Sequence, residues 1–370
     1  MPTPSYPAAR TASRRVHPHL VHHIETAAVH GTAVPHPASI EAMLDAAFWA
    51  SLRREEGKVP KVSLAFVPPE QAALALYFER PLPLDAASIT RLGPAVEKPS
   101  IHLGVWARGE FLAIWGTTRQ IPAFSTVVEV IAPGLLVVKQ SRAEETAKFA
   151  NLAVLEGDTI KVIDESPAVE HDCPSILDQL LADDRIRDTV VLPLAIAMRA
   201  HGRGGSLLVV PSNSDEWRES MTHPIPYPLV TAPGEVAYLL GRDGSERAGR
   251  RWRESLRQAI EAIAGLTAVD GATVVNDQFD VLVFGAKISR RDGAGRVEQI
   301  AVTEPIEGSA GLTVHPSHLG GTRHLSAAQF AQDQRNSVAL VASQDGRFTA
   351  FGWSPYRGMV HAYRLEALLL

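Results

Sequence analysis

From about residue 175 onward, strand-length apolar runs alternate with segments that carry apolar residues at helical spacing. The helical pattern is clearest over 246–266, where Trp252, Leu256 and Ile260 share one face. Strands are predicted near 202–210, 272–276, 280–288, 337–342 and 347–353. Alternating helices and strands bury their apolar faces best as layers, so this half of the chain predicts a layered α/β domain.

The first candidate site segment is Val269-Asp270-Gly271-Ala272-Thr273-Val274-Val275. Gly271 and Ala272 carry little or no side chain, so the backbone there can approach a flat or bulky ligand. Asp270 precedes a β-branched run and is expected at a strand entrance. A carboxylate in that place can hold a divalent cation or help deprotonate a ribose hydroxyl. The alternative is an ordinary Asp-Gly turn.

The second segment is Gly320-Gly321-Thr322-Arg323-His324, followed by a helical stretch over 326–334. Glycines that open a helix expose backbone N–H groups at its positive end, which favours phosphate binding. Arg323 adds a forked cation suited to phosphate oxygens, Thr322 a hydroxyl and His324 a ring donor. The alternative is a helix start with a surface arginine and an incidental histidine.

Together, in this order and about fifty residues apart, the two segments resemble the paired signature of the diadenylate cyclase domain. That signature reads Asp-Gly-Ala and, later, Gly-Thr-Arg-His-Arg-Ala-Ala. The family condenses two ATP molecules into cyclic di-AMP and pyrophosphate. The resemblance covers roughly residues 175–370 and implies a mixed central sheet flanked by helices. It extends to the strand 280–288 and to the segment 338–346.

The resemblance implies a role for each matching residue. Asp270 would activate the ribose hydroxyl, directly or through Mg²⁺ or Mn²⁺, and would be the metal ligand. Arg323 and His324 would stabilise charge as pyrophosphate leaves. The ATP-binding residues would be Gly271, Ala272, Ala286, Ile288, Gly321, Thr322, Arg323, His324 and Ser343. Because the product is two-fold symmetric, two such domains must meet, and a dimer or higher oligomer is expected.

Leu325 is a departure, since the family carries a second arginine at this place. Arg335 or Arg347 would have to replace that cation from elsewhere. Alternatively, the chain binds ATP or a cyclic dinucleotide as a sensor without turnover, or both segments are plain turns in an interaction protein. Residues 289–296 are also predicted to form a polar, hairpin-like insert.

The N-terminal half reads differently. Residues 1–37, rich in Pro, Ala and His, predict a poorly ordered tail. Residues 38–165 predict a smaller α+β domain, with a helix capped by Ser39 and a hairpin running from Trp106 to Trp115. This domain resembles the DACNV-type sensor domains that precede diadenylate cyclase domains. A linker over 166–174 and the cyclase-like domain over 175–370 complete the predicted organisation.

Composition, charge and missing motifs limit the classes of function expected for this chain. A net charge of −5 gives no general attraction to nucleic acid. The single cysteine, Cys173, excludes an internal disulfide and fits a reducing compartment. No run reaches the ~18 apolar residues of a membrane span. The chain is therefore expected to be cytoplasmic, without membrane or nucleic-acid partners. It also carries no P-loop, His-Glu-x-x-His or serine-hydrolase motif.

Overall fold

The computed structural model describes residues 5–27, 31–98, 100–109, 111–142, 149–164, 186–229, 234–247, 249–309, 311–344 and 346–366. The chain divides into two compact units, with the division between Ile163 and Asp164. Unit 1 runs from the N-terminus to Ile163, and unit 2 follows it. The linker predicted over 166–174, with Cys173, lies outside the described residues.

Within its described residues, unit 1 combines three α-helices with eight strands. The helices are α1 (Pro7–Thr26), α2 (Pro37–Ser51) and α3 (Ala86–Val96). The strands are β1 (Ser63–Phe66), β2 (Leu76–Pro83), β3 (His102–Arg108), β4 (Phe111–Thr118), β5 (Thr126–Ala132), β6 (Leu135–Ser141), β7 (Phe149–Glu156) and β8 (Thr159–Val162).

The strands of unit 1 form one sheet in the order β2-β4-β3-β1-β5-β6-β7-β8. β1 and β3 are parallel, and the other neighbours are antiparallel. The largest apolar cluster of the unit joins α1, α2 and α3 to alternate residues of the strands, such as Leu64, Leu103 and Val128. The three helices therefore pack on one face of this sheet.

The poorly ordered tail predicted over 1–37 is wrong, because residues 7–26 form helix α1. Ala9, Ala12, Val16 and Leu20 are fully buried and form a narrow apolar face at helical spacing. This face packs against α2, β7 and β8. The Pro- and His-rich segment therefore forms an amphipathic helix, and half of its buried residues are alanines.

The predicted hairpin from Trp106 to Trp115 is present as β3 and β4, with Arg108 opposite Phe111. Trp115 is buried and its Nε1 donates to the carbonyl oxygen of Val67 at 2.9 Å. Both tryptophans pack in the unit's apolar clusters, which makes them core residues. Helix α2, however, begins at Pro37 after His36, so Ser39 lies inside the helix instead of capping it.

Unit 2 contains five α-helices and nine strands within its described residues. The helices are α4 (Leu192–Ala200), α5 (Glu235–Leu240), α6 (Gly244–Arg247), α7 (Arg250–Leu266) and α8 (Thr322–Asp333). The strands are β9 (Gly205–Val210), β10 (Tyr227–Pro228), β11 (Ala272–Asn276), β12 (Val281–Ala286), β13 (Ile300–Thr303), β14 (Leu312–Val314), β15 (Val338–Ala342), β16 (Phe348–Ser354) and β17 (Met359–Arg364).

These strands form a second mixed sheet in the order β10-β12-β11-β9-β15-β16-β17-β13-β14. On one face, Leu207 and Val209 of β9 pack with α4 and α7, while on the other, Leu208 and Val210 pack with α8. Helices thus flank both faces of the sheet. The chain is therefore of the mixed α/β class, as predicted, and each of its two units contains one mixed sheet.

The insert between β12 and β13 differs from its prediction. Residues 289–299 contain a turn in which the Ala294 N–H donates to the Arg291 carbonyl oxygen. They contain no strand, so the insert is not a hairpin.

In the part of the chain that the structure describes, no helix has both the length and the apolar character needed to cross a bilayer.

Candidate functional site

A cavity of about 660 Å³ lies at one end of the central strands of the unit 2 sheet. The first residues of β9 and β11 meet the last residues of β12 and β15 here, because both neighbouring pairs β11–β12 and β9–β15 are antiparallel. The N-terminus of α8 completes the wall. The lining residues are Ser206, Asp270, Gly271, Ala272, Ala286, Lys287, Ile288, Leu319, Gly320, Gly321, Thr322, Arg323, His324, Ser326, Val341, Ser343, Gln344 and Arg347. Every site residue predicted from the sequence is in this set.

Asp270 lies two residues before β11 and forms an ion pair with Lys287, which follows β12. Asp270 Oδ2 is 2.5 Å from Lys287 Nζ, and 85% of the Asp270 side chain is exposed. Hydrogen bonding and charge from Lys287, with a smaller contribution from Arg323, lower the pKa of Asp270 below its usual value. The carboxylate is therefore ionised at neutral pH, and Arg323 of the second segment acts on Asp270 of the first.

Lys287 did not emerge from the sequence as a site residue. The available signal was its position between Ala286 and Ile288, two residues that were predicted to line the nucleotide site. Its partner could not be read from the sequence, because the contact depends on how β11 pairs with β12.

Gly271 has a structural reason to be glycine. Its φ is +110°, and a Cβ there would lie 2.5 Å from the carbonyl carbon of Gly285. A side chain at this position would thus be strained and would push β11 and β12 apart. The close strand approach brings Asp270 and Lys287 together at the cavity wall.

Helix α8 begins at the cavity wall, and no side chain caps its N-terminus. Gly321 is its N-cap residue, and no side chain accepts from the first turn. The first N–H groups of an α-helix lack intrahelical acceptors and carry partial positive charge. Thr322, exposed, and Arg323, half-buried, stand on this first turn. The turn therefore offers amide donors, a hydroxyl and a guanidinium to an anion.

His324 lines the cavity but is only 3% exposed. Its ring meets Phe351 edge-on, with centroids 6.0 Å apart. Gly320 leaves room for the ring, since a Cβ there would lie 2.5 Å from His324 Nδ1. This histidine thus combines a place at the site with a packing role beneath it.

Ser343 is engaged in a turn. Its Oγ donates to the Arg347 carbonyl oxygen at 3.1 Å and accepts from the Arg347 N–H at 3.0 Å. The turn holds Gln344 and Arg347 at the cavity. A direct phosphate or ribose contact from Ser343 would have to share these bonds, so shaping the turn is its observed contribution.

Arg347 and Arg335, the two possible substitutes for the missing second arginine, lie at different cavities. Arg347 lines the cavity. Arg335 lies over the Trp353 ring, 3.9 Å from its centroid, and lines a different cavity. Leu325 is 40% exposed and does not line the site cavity, so it is not a core residue.

The donor set suits a metal that arrives with a nucleotide. Asp270 supplies the one carboxylate among the described lining residues, and no group of three or more His, Cys, Asp or Glu side chains suited to a metal occurs among the described residues. Magnesium is commonly held by one or two protein carboxylates, with phosphate oxygens and waters as its other ligands. The cavity therefore fits a triphosphate-bound cation better than a metal held by protein alone.

Comparison with known proteins adds one family. Residues 30–119 match the family described as "Probable sensor domain DACNV". This segment includes α2, α3 and β1 to β4 of unit 1, and it supports the expectation of a sensor domain in the N-terminal half. The cavity of unit 2 lies outside the matched residues.

No curated protein matches the chain. A solved structure described as "The crystal structure of the hypothetical membrane spanning protein from Bacillus cereus" matches with 13% identity, covering 51% of this chain and 70% of that chain. Its TM-score is 0.28, at which nothing follows about the fold or the function of this chain.

Proposed function

We propose that unit 2 is a diadenylate cyclase domain, which condenses two ATP molecules into cyclic di-AMP and two pyrophosphates, and that unit 1 regulates it as a sensor. The observation that carries the proposal is the meeting of both signature segments in one cavity, where Arg323 contributes to the lowered pKa of Asp270. The cavity volume, about 660 Å³, is within the range of small-molecule sites.

In this proposal the phosphates lie against the first turn of α8. Amide donors, Thr322 and Arg323 would hold the triphosphate and stabilise the charge that develops as pyrophosphate leaves. Arg347 would supply the further cation that Leu325 does not. Ala272 and Ala286, both buried, would form the small-residue floor beneath the nucleotide.

The ribose 3′-hydroxyl of each ATP would attack the α-phosphorus of the other, so the step would occur twice and release two pyrophosphates. A bond forms from the 3′-oxygen to phosphorus, the bond to pyrophosphate breaks, and the hydroxyl proton leaves to solvent. Asp270 is a weak base because Lys287 lowers its pKa, so it would orient the hydroxyl or hold a cation in preference to accepting the proton. Bound there, Mg²⁺ or Mn²⁺ would polarise the phosphate oxygens.

Two nucleotide sites must face each other, since each domain would hold one ATP and the product joins two. The active species would be a homodimer or a larger oligomer with paired sites. Unit 1 would then control turnover by favouring or opposing this pairing.

A second candidate function follows from Leu325: the chain binds ATP or a cyclic dinucleotide but turns over slowly or not at all. Calorimetric titration with ATP, followed by incubation with ATP and Mn²⁺ and mass spectrometry, separates the two functions. Binding with cyclic di-AMP formation supports the cyclase. Binding without product supports the sensor, and absence of binding rejects both.

A further inference from the structure

The sheet of unit 1 has a second face that the three helices do not cover. Leu64 and Leu103 belong to the core cluster on the helix side. Since side chains alternate along a strand, Ser63 and His102 lie on the opposite face. The backbone register pairs Ser63 with Glu129 and Leu64 with Leu103, which sets Ser63 between His102 and Glu129. Polar side chains thus form a row across β3, β1 and β5.

The row is internally paired and partly buried. Ser63 Oγ lies 2.7 Å from His102 Nδ1, and the ring of Phe149 meets the His102 ring edge-on. Glu129 Oε2 pairs with Lys139 Nζ on β6 at 2.5 Å. His102 is 6% exposed, the Lys139 side chain 16% and the Glu129 side chain 35%. Removing an imidazole from water, and an ion pair in part, costs free energy that packing with apolar side chains would avoid, so packing alone does not account for the row.

The row lines a cavity of about 560 Å³, together with Val62, Val96 and Val130 of the helix-side cluster. Ile101, Val127 and Ile131 contribute an apolar wall beside the ring of Phe149. Lys61 and Lys98, both exposed, stand on the same lining. The cavity therefore combines a polar floor, an apolar wall and two surface cations.

The charges of the lining favour an anion. Lys139 and Glu129 neutralise each other. Among the described residues, neither Lys61 nor Lys98 takes part in an ion pair, and the exposed Glu97 is the other lining carboxylate. Two ammonium groups near one carboxylate leave a net attraction for a negative charge entering from water.

We propose that this cavity binds a small amphipathic organic anion, a carboxylate or a phosphate monoester, whose charge meets Lys61 and Lys98. Its apolar body would contact Phe149 and Ile131, and its polar atoms would reach the Ser63–His102 pair. This assignment deepens the proposed sensor role of unit 1 and rests on it. It assigns the ligand class that the sensor would detect.

The test uses the full chain and four probes: hexanoate, hexyl phosphate, hexan-1-ol and inorganic phosphate. Affinities are measured by calorimetric titration, and the His102 ring resonance, assigned with His102→Gln, is followed by NMR. The double variant Lys61→Met/Lys98→Met removes the two cations at exposed positions. Lys58→Met is the matched control, because Lys58 is exposed nearby but does not line the cavity.

At least one of the two hexyl anions is expected to bind, to shift the His102 resonance and to lose at least tenfold in affinity in the double variant but not in Lys58→Met. Which anion binds identifies the headgroup. Hexan-1-ol binding as well as the anions would overturn the charge assignment, and inorganic phosphate binding as well would overturn the apolar contact. No binding by either hexyl anion would reject the site. Because these probes carry no adenine and the readout is independent of turnover, the result stands apart from the test of the cyclase.

Discussion

Replacing Arg323 with alanine tests the phosphate site at its most specific residue. Arg323 stands on the uncapped first turn of α8, and its charge already reaches Asp270 across the cavity. Losing a charge-assisted contact costs about 1–3 kcal/mol, which weakens ATP binding roughly 5- to 150-fold. Because Arg323 is half-buried, water screens its charge less than at an exposed position, and the upper part of that range is expected.

The assay is calorimetric titration with Mg²⁺ and α,β-methylene-ATP, an analogue that cannot release pyrophosphate. Arg335→Ala is the matched control, because it removes the same side chain from a position over Trp353 and outside the cavity. Its affinity should equal that of the parent. If Arg323→Ala binds the analogue as tightly as the parent, or if both variants lose affinity equally, the phosphate site is not at the start of α8.

The remaining predictions concern four other residues. Asp270→Asn should abolish cyclic di-AMP formation with little change in melting temperature, since the exposed side chain keeps its volume; full activity would remove its proposed role. Lys287→Met should raise the pKa of Asp270, so the acid limb of the pH–rate profile should move to higher pH; an unmoved limb would contradict the coupling. Leu325→Arg should fold normally, because the position is partly exposed, and should increase turnover if the missing arginine limits it; unchanged turnover would show that it does not. Burial lowers the pKa of His102 from 6.5 to about 4. The unfolded chain therefore takes up a proton in this window that the folded chain does not, and stability should fall by up to about 3 kcal/mol as the pH drops through it, a loss that urea titrations of His102→Gln should lack.

The signature segments could be recognised from the sequence because each is a local pattern. Asp270 and Gly271 precede a β-branched strand, and Arg323 follows glycines that open a helix. Their meeting in one cavity depends on the strand order, which places β11 beside β9 and β9 beside β15. No local pattern specifies that order, so the convergence of the segments required the structure.

The roles of Lys287 and Arg347, and the helix α1, could not be predicted from the sequence. Lys287 gains its significance from a cross-strand partner, and Arg347 from the turn that Ser343 closes. Helix α1 is not apparent from the sequence because half of its buried residues are alanines and Pro18 lies within it.

In the proposed reaction, two separate ATP molecules are joined at this site. The most direct measurement is incubation of the purified chain with Mn²⁺ and an equal mixture of unlabelled and ¹³C-labelled ATP, followed by mass spectrometry. Cyclic di-AMP is expected in unlabelled, half-labelled and fully labelled forms, with the half-labelled form most abundant, and no product is expected when 3′-deoxy-ATP replaces ATP. ATP that binds and is recovered unchanged, with no cyclic di-AMP at any mass, would contradict the proposed reaction.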